Sequence, residues 1–200
     1  MQPITGKWDI IQIQNLFYSD NHKGYVRGLP LYYQLLATWL NLKHFNVYVD
    51  SYTEYQEPPS TSYPPTTDRE FYLRATTDNV KESLEHGMLK WWGTKWLIDQ
   101  GSTNPLTEQW YPAGKADIYA KEDKKVVECG NTDPLKVFRA FYTSNKEYEI
   151  DQFILMPYTH TGLVPQTTLY IFELTALGKA NLNGIMKDYF IIARDRGIEL

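Results

Sequence analysis

The chain has 200 residues and a formal net charge of −4, with 42% hydrophobic and 22% charged residues. These totals suit one globular domain, or one domain with an appendage, and they allow a sizeable core. The acidic balance argues against a protein that coats nucleic acid through bulk electrostatics. The single cysteine, Cys129, excludes an intrachain disulfide framework and a cysteine-rich zinc site. No apolar run approaches the roughly 18 residues that span a bilayer, and no secretory signal pattern opens the chain. We therefore predict an intracellular, cytoplasmic protein.

The first fifty residues contain three predicted elements. Isoleucines alternate with glutamines within residues 7–18, which predicts a strand. Apolar residues at helical spacing predict a helix over residues 31–45, with Pro30 in its first turn. Residues 46–50 are typical of a short strand.

A long stretch rich in Pro, Ser and Thr follows at residues 51–68 and has no hydrophobic period. Such a composition predicts a loop or linker. We place the domain boundary there, between an N-terminal extension or accessory module at residues 1–68 and a core at residues 69–200. The core is expected to open with a strand at residues 69–75.

The next predicted element is a helix over residues 80–99, in which charged residues accompany an apolar stripe. The stripe consists of Leu89, Trp92 and Trp96. Glu85 lies one turn before this stripe, so it either points towards the partner of the stripe or is a solvated acid that favours the helix dipole. Glu82 is expected to cap the helix, and His86 and Lys90 are expected on its surface.

Two acids lie in a pair of strands that form a predicted hairpin. The strand candidates after the helix are residues 109–113, 116–120 and 125–129, with a turn at 121–124 between the last two. Asp117 opens the second strand and Glu128 ends the third. Either acid can be an ordinary turn or strand-end charge. However, Glu128 follows two valines and precedes Cys129, and an acid in so apolar a run is expected to have a partner.

The rest of the chain completes a mixed pattern. Asp133 and Pro134 are typical of a helix start. Residues 150–158 and 168–174 predict two strands, and residues 182–193 predict an amphipathic helix. From residue 80 the order is helix, three strands, helix, strand, strand, helix. This order predicts an α/β (α+β) fold with a central mixed sheet flanked by helices.

The order of elements and acids resembles the PD-(D/E)XK nuclease superfamily, the restriction-endonuclease-like fold, over roughly residues 80–158. The pieces that carry the resemblance are ESLEHGMLK, GKADIYA, VVECG and DPLKVF. It implies that Asp117 and Glu128 ligate Mg²⁺ or Mn²⁺ together with the main-chain carbonyl of Cys129, and that Glu85 or Glu82 assists from the helix. It also implies hydrolysis of a phosphodiester by a metal-activated water, and we expect DNA as the substrate in preference to RNA.

The chain departs from this family at the lysine that normally stands two residues after the second acid. Gly130 occupies that position. Lys136 on the next helix is our candidate for a substitute catalytic lysine, and Lys90 on the first helix is the other.

Three functional hypotheses follow from these residues. The first is a metal-dependent DNA nuclease, with the terminal helix as a candidate homodimer interface by analogy. The second is a catalytically degenerate member of the same fold that binds nucleic acid or serves in assembly. The third is a structural or partner-binding protein without a site, in which residues 51–68 form the contact surface.

Overall fold

The computed structural model describes residues 1–17, 30–53, 84–144, 148–158 and 166–195. These ranges contain five helices and six strands. The helices are α1 (Ile10–Phe17), α2 (Pro30–Asn41), α3 (Leu84–Asp99), α4 (Leu135–Tyr142) and α5 (Ala176–Asp195). The strands are β1 (Phe45–Thr53), β2 (Leu106–Tyr111), β3 (Gly114–Ala120), β4 (Lys125–Cys129), β5 (Gln152–Met156) and β6 (Gln166–Leu174).

The six strands form one mixed sheet in the order β1-β6-β5-β4-β3-β2. β4 and β5 run parallel, and the other neighbouring pairs are antiparallel. A parallel pair cannot be joined by a hairpin turn, so the chain crosses from β4 to β5 through α4. β3 and β4 are instead joined by a tight turn at residues 121–124. The predicted α/β (α+β) class, a mixed sheet flanked by helices, is confirmed.

The sheet is covered on both faces. On β5, Phe153 and Leu155 face a core shared with α1, α2, α4 and α5, whereas Ile154 and Met156 face a core formed with α3. Side chains of a strand alternate between the two faces, so an entirely apolar strand such as β5 requires cover on both. α3 lies close to the sheet at Gly93, where a Cβ would stand 2.6 Å from Ile118 Cδ1. This contact brings the third turn of α3 against β3.

Most predicted elements are present where the sequence placed them. α2 and β1 match the predicted helix and strand of the N-terminal part, and the order from α3 to α5 is the predicted one. The apolar stripe of α3 is buried as expected. Its members Leu89, Trp92 and Trp96 are each at most 5% exposed.

The predicted strand within residues 7–18 is wrong, because this segment forms helix α1. The isoleucine alternation was misleading, since Ile11 is 67% exposed. The buried residues are Ile13, Leu16 and Phe17, whose spacing is helical. The main-chain N–H of Asp9 donates to the Gln12 side chain, and the N–H of Gln12 donates to the Asp9 carboxylate. This reciprocal cap fixes the start of the helix.

The N-terminal elements share the sheet and core of the remaining chain. β1 pairs with β6 along its whole length, and buried residues of α1 and α2 belong to the same apolar core as those of α4. The predicted boundary at residue 68, the loop at 51–68 and the strand at 69–75 lie in a segment outside the described residues, apart from the end of β1. They remain predictions. None of the described helices is long and apolar enough to cross a membrane.

Candidate active site

Three acids lie side by side on three neighbouring strands. The β3–β4 pairing ends at Ile118 and Val127, and Asp117 and Glu128 are the neighbours of these two residues. Asp117 Oδ2 accepts the main-chain N–H of Cys129, the residue after Glu128, at 2.7 Å. In the β2–β3 pair, Thr107 lies opposite Ile118 and Gln109 opposite Ala116, so Glu108 and Asp117 each lie between these two pairs. The structure thus brings together the two acids singled out in the sequence, and it adds a third from β2.

Asp117 is held at both of its carboxylate oxygens. Oδ2 accepts the main-chain N–H of Cys129 at 2.7 Å, and Oδ1 lies 3.2 Å from Nε2 of His86 on α3. Burial favours the neutral acid, but the His86 contact and the Cys129 N–H outweigh it and hold the pKa of Asp117 below its usual value. Asp117 is therefore a carboxylate at neutral pH. His86, predicted as a surface residue, is instead partly buried against this acid, with 19% of its side chain exposed.

Glu128 is buried, with 3% relative exposure. Its Oε2 accepts a hydrogen bond from Lys136 Nζ at 2.5 Å. Its Oε1 is also buried and has no hydrogen-bond partner among the described residues. Burial, and next the charge of Asp117, raise the pKa of Glu128 to about 8 despite the amine of Lys136. Glu128 therefore keeps a proton at neutral pH unless a further positive charge enters the site.

Lys136 reaches the acids from α4, the helix that follows β4. Asp133 accepts the main-chain N–H of Leu135 at 2.9 Å, which fixes the first turn of this helix. Besides Glu128, the Lys136 amine donates to the main-chain carbonyl of Lys115 at 2.8 Å. Helix α4 thus delivers an amine to the two acids although Gly130 has no side chain to offer. This is the position from which a substitute lysine was expected.

Glu108 and its two lysines form a cluster that the sequence analysis missed. The Glu108 carboxylate is ion-paired with both Lys90 of α3 and Lys115 of β3. Burial alone would raise the pKa of Glu108, but the hydrogen bonds from Lys115 and Lys90 lower it below the usual value. Its backbone has a φ of 57°, which is uncommon for a residue with a side chain.

The prediction that Lys90 lies on the surface is wrong, since it is 1% exposed. Lys90 lies among the buried residues of α3, and its amine is paired with Glu108. Burying the ammonium without such a partner would cost free energy of folding. A signal was available in the sequence. Lys90 stands between Leu89 and two tryptophans, and a charge within an apolar run calls for a partner, as was inferred for Glu128.

The resemblance also assigns supporting roles to Glu85 or Glu82 and to the carbonyl of Cys129. Glu85 belongs to α3, but its side chain is outside the described part of the chain, and Glu82 precedes that part. The supporting role of either acid stays a prediction. Cys129 is buried, with its thiol in the core beneath α3, and its main-chain N–H binds Asp117. The expected role of its carbonyl as a metal ligand also stays a prediction.

The carboxyl oxygens of Asp117 and Glu128 suit a hard divalent cation. Within the described ranges, no group of three or more His, Cys, Asp and Glu side chains is placed to hold a metal ion. Asp117 and Glu128, however, offer oxygen ligands of the kind that Mg²⁺ prefers. Glu128 Oε1 is a buried oxygen without a hydrogen-bond partner in the described part of the chain, and the repulsion between the two acids is one cause of the raised pKa of Glu128. A cation between them would relieve both costs, so the two residues fit such an ion.

Comparisons of the chain with protein-family models, with curated proteins and with solved structures found no match. The resemblance to PD-(D/E)XK nucleases therefore depends on the residues and their arrangement alone.

Proposed function

We propose that this protein is a metal-dependent nuclease that hydrolyses DNA phosphodiester bonds. The observation that carries the proposal is that Asp117 binds the N–H of Cys129, the residue after Glu128, while the Lys136 amine donates to Glu128 itself. Two acids can hold the metal ion of such a hydrolysis, and an amine can offset the negative charge that develops on the phosphate. A cytoplasmic location and a restriction-endonuclease-like core belong to the same proposal.

Asp117 and Glu128 would hold Mg²⁺ or Mn²⁺, with the Cys129 carbonyl and Glu85 as further expected contributors. The ion would supply a water of lowered pKa and would stabilise negative charge on the phosphate. Glu128 must give up its proton to act as a ligand, because only the carboxylate binds a hard cation. Asp117 is already ionised and is held in one orientation by Cys129 and His86.

Lys136 can contribute to the site in two ways. Its amine donates a hydrogen bond to Glu128 in the resting site and would pair with the Glu128 carboxylate once that residue loses its proton. Because 25% of its side chain is exposed, the amine can also turn to a phosphate and offset the charge that develops there.

Tyr111 offers a further hydrogen-bond donor. Its hydroxyl is buried and has no partner in the described part of the chain. Burial, followed by the charges of Glu128 and Asp117, raises its pKa, so it stays protonated.

Cleavage assays test the proposal directly. Purified protein is incubated with plasmid DNA, single-stranded DNA and RNA in the presence of Mg²⁺ or Mn²⁺. We expect Asp117→Asn to abolish cleavage and Lys136→Met to lower it by about 100-fold. Glu149→Gln is the matched control, because this acid is 51% exposed and pairs with Lys124 on the far turn. Equal cleavage by the wild type and Asp117→Asn would refute the proposed nuclease activity.

The second candidate function is a catalytically degenerate member of the same fold that binds nucleic acid or serves in assembly. A specific observation favours it. Each of the three acids already has a nitrogen partner, namely His86 for Asp117, Lys136 for Glu128, and a pair of lysines for Glu108. Calorimetry with Mn²⁺ separates the two functions. DNA binding without any metal binding would favour the degenerate protein.

A homodimer is also part of the proposal, since cutting both strands of a duplex takes two sites. Helix α5 is the candidate interface by analogy. Sedimentation of the purified protein tests it, and a monomer at all concentrations would restrict the proposed activity to single strands or single nicks.

A further inference from the structure

Gly130 follows β4 and lies directly against the ring of Tyr158. A Cβ on Gly130 would stand 2.4 Å from Tyr158 Cζ and 2.8 Å from its hydroxyl oxygen. The φ of Gly130 is 72°, a conformation that favours glycine. Its N–H donates to the Met156 carbonyl at 2.7 Å, which ties the end of β4 to the end of β5 just before Tyr158. The space that a side chain at position 130 would take is therefore filled by Tyr158.

Tyr158 is joined to Asp117 through His86. The Tyr158 hydroxyl lies 3.3 Å from Nδ1 of His86, and Nε2 of the same ring lies 3.2 Å from Asp117 Oδ1. The chemistry of Asp117 fixes the direction of this chain of contacts. Its carboxylate can only accept a hydrogen bond, so Nε2 carries the proton. In the neutral ring Nδ1 is then the acceptor, and the Tyr158 hydroxyl donates to it.

We infer that Tyr158 and His86 form a brace that holds the Asp117 carboxylate in one orientation, and that Gly130 is needed to make room for it. Cys129 fixes one oxygen of Asp117 through its main-chain N–H. A single hydrogen bond leaves a carboxylate free to tilt, and the contact from His86 to the other oxygen removes that freedom. Tyr158 in turn prevents the imidazole from rotating. Both are positioning residues, since they act through Asp117.

The brace also accounts for the source of the amine in the site. A lysine at position 130 would collide with Tyr158, whereas Lys136 reaches Glu128 from α4 on its own path. Carboxylates that ligate metals are commonly oriented by hydrogen bonds from residues behind them. The consequence for metal affinity rests on the proposed function, whereas the contacts of the brace do not.

The first test uses no metal and observes the His86 ring by ¹H–¹⁵N NMR, with His86→Gln to assign its signals. We expect the proton on Nε2, with slowed exchange against water. Tyr158→Phe should shift the Nδ1 resonance and accelerate the exchange of the Nε2 proton. Tyr142→Phe removes a hydroxyl from an exposed tyrosine and should change neither. A proton on Nδ1 and none on Nε2, or a ring spectrum unchanged in Tyr158→Phe, would overturn the inference.

The second test measures Mn²⁺ affinity by calorimetry. His86→Ala should weaken binding by about 10-fold or more, and Tyr158→Phe by a smaller factor. His86→Gln should recover most of the loss, because its amide can donate to Asp117 from nearly the same place. A purely structural role would not show this rescue. Wild-type affinity in His86→Ala would overturn the inference and leave the proposed function standing.

Failure of the proposed metal site and failure of the brace would give different results. If the wild type binds no Mn²⁺, the proposed metal site is wrong, and the ring spectrum alone decides the brace. A protected Nε2 proton that depends on Tyr158 would then support the brace in a protein without a metal. A spectrum insensitive to Tyr158 would overturn it.

Discussion

Replacing Glu128 with glutamine should change how the stability of the protein depends on pH. The pKa of Glu128 is about 8 in the folded protein against an ordinary 4.5, because of its burial and the charge of Asp117. Below pH 4.5 the residue is protonated in both the folded and the unfolded chain. Between the two pKa values the unfolded chain ionises while the folded protein keeps its proton, so stability falls as the pH rises. Above pH 8 both states are ionised and the difference is constant.

The size of this effect follows from the two pKa values. At about 1.36 kcal/mol for each pH unit, the interval from 4.5 to about 8 amounts to roughly 5 kcal/mol. Glutamine cannot ionise, so the Glu128→Gln protein should lack this loss. The variant should therefore gain stability relative to the wild type as the pH rises through this interval, and the gain should level off above it.

Urea unfolding of both proteins across this pH range measures the difference. Glu149→Gln is the control, since Lys124 lowers the pKa of Glu149 and any pH effect there has the opposite sign. Parallel stability curves for the wild type and Glu128→Gln would refute the reasoning, because they would mean that Glu128 titrates as an exposed acid.

The remaining predictions concern packing, ion pairs and metal binding. Gly130→Ala should cost about 1–3 kcal/mol more unfolding free energy than Gly101→Ala, because Gly101 also has a positive φ but nothing within 4 Å of its Cβ position. Equal losses in urea unfolding would contradict the contact with Tyr158. Lys90→Met should cost about 3 kcal/mol, whereas Lys115→Met, whose side chain is 38% exposed, should cost less than about 1 kcal/mol. The reverse order in the same assay would show that Lys90 does not depend on its ion pair. Binding of Mn²⁺ near neutral pH should release up to about one proton, because Glu128 must ionise. Calorimetry in buffers of different ionisation enthalpy measures the release, which Glu128→Gln should lack.

The elements of this protein follow closely from local patterns. The order from α3 to α5 could be predicted because helical and strand periods relate residues only a few positions apart. The same reasoning failed at α1, where a short segment carries both an alternation and a helical stripe. Only burial of Ile13, Leu16 and Phe17 in the core decides between them.

The site could be predicted only in part. Asp117 and Glu128 are joined by a short hairpin, and an acid in an apolar run signals a partner within the sequence itself. Lys136 was a reasonable candidate because it lies on the next element, eight residues from Glu128. Glu108 gave no such signal, since it lies in an ordinary polar stretch of β2.

The sequence by itself determined the mixed α/β composition, the hairpin that carries the two acids, and the absence of a side chain at position 130. Only the tertiary structure decided what surrounds those acids. Lys90 and Glu108 are 18 residues apart, His86 and Asp117 are 31, and Tyr158 and His86 are 72. Such pairs meet because α3 packs closely on the sheet at Gly93 and because β4 and β5 end side by side. Their contacts arise from the packing of whole elements, which no local period encodes.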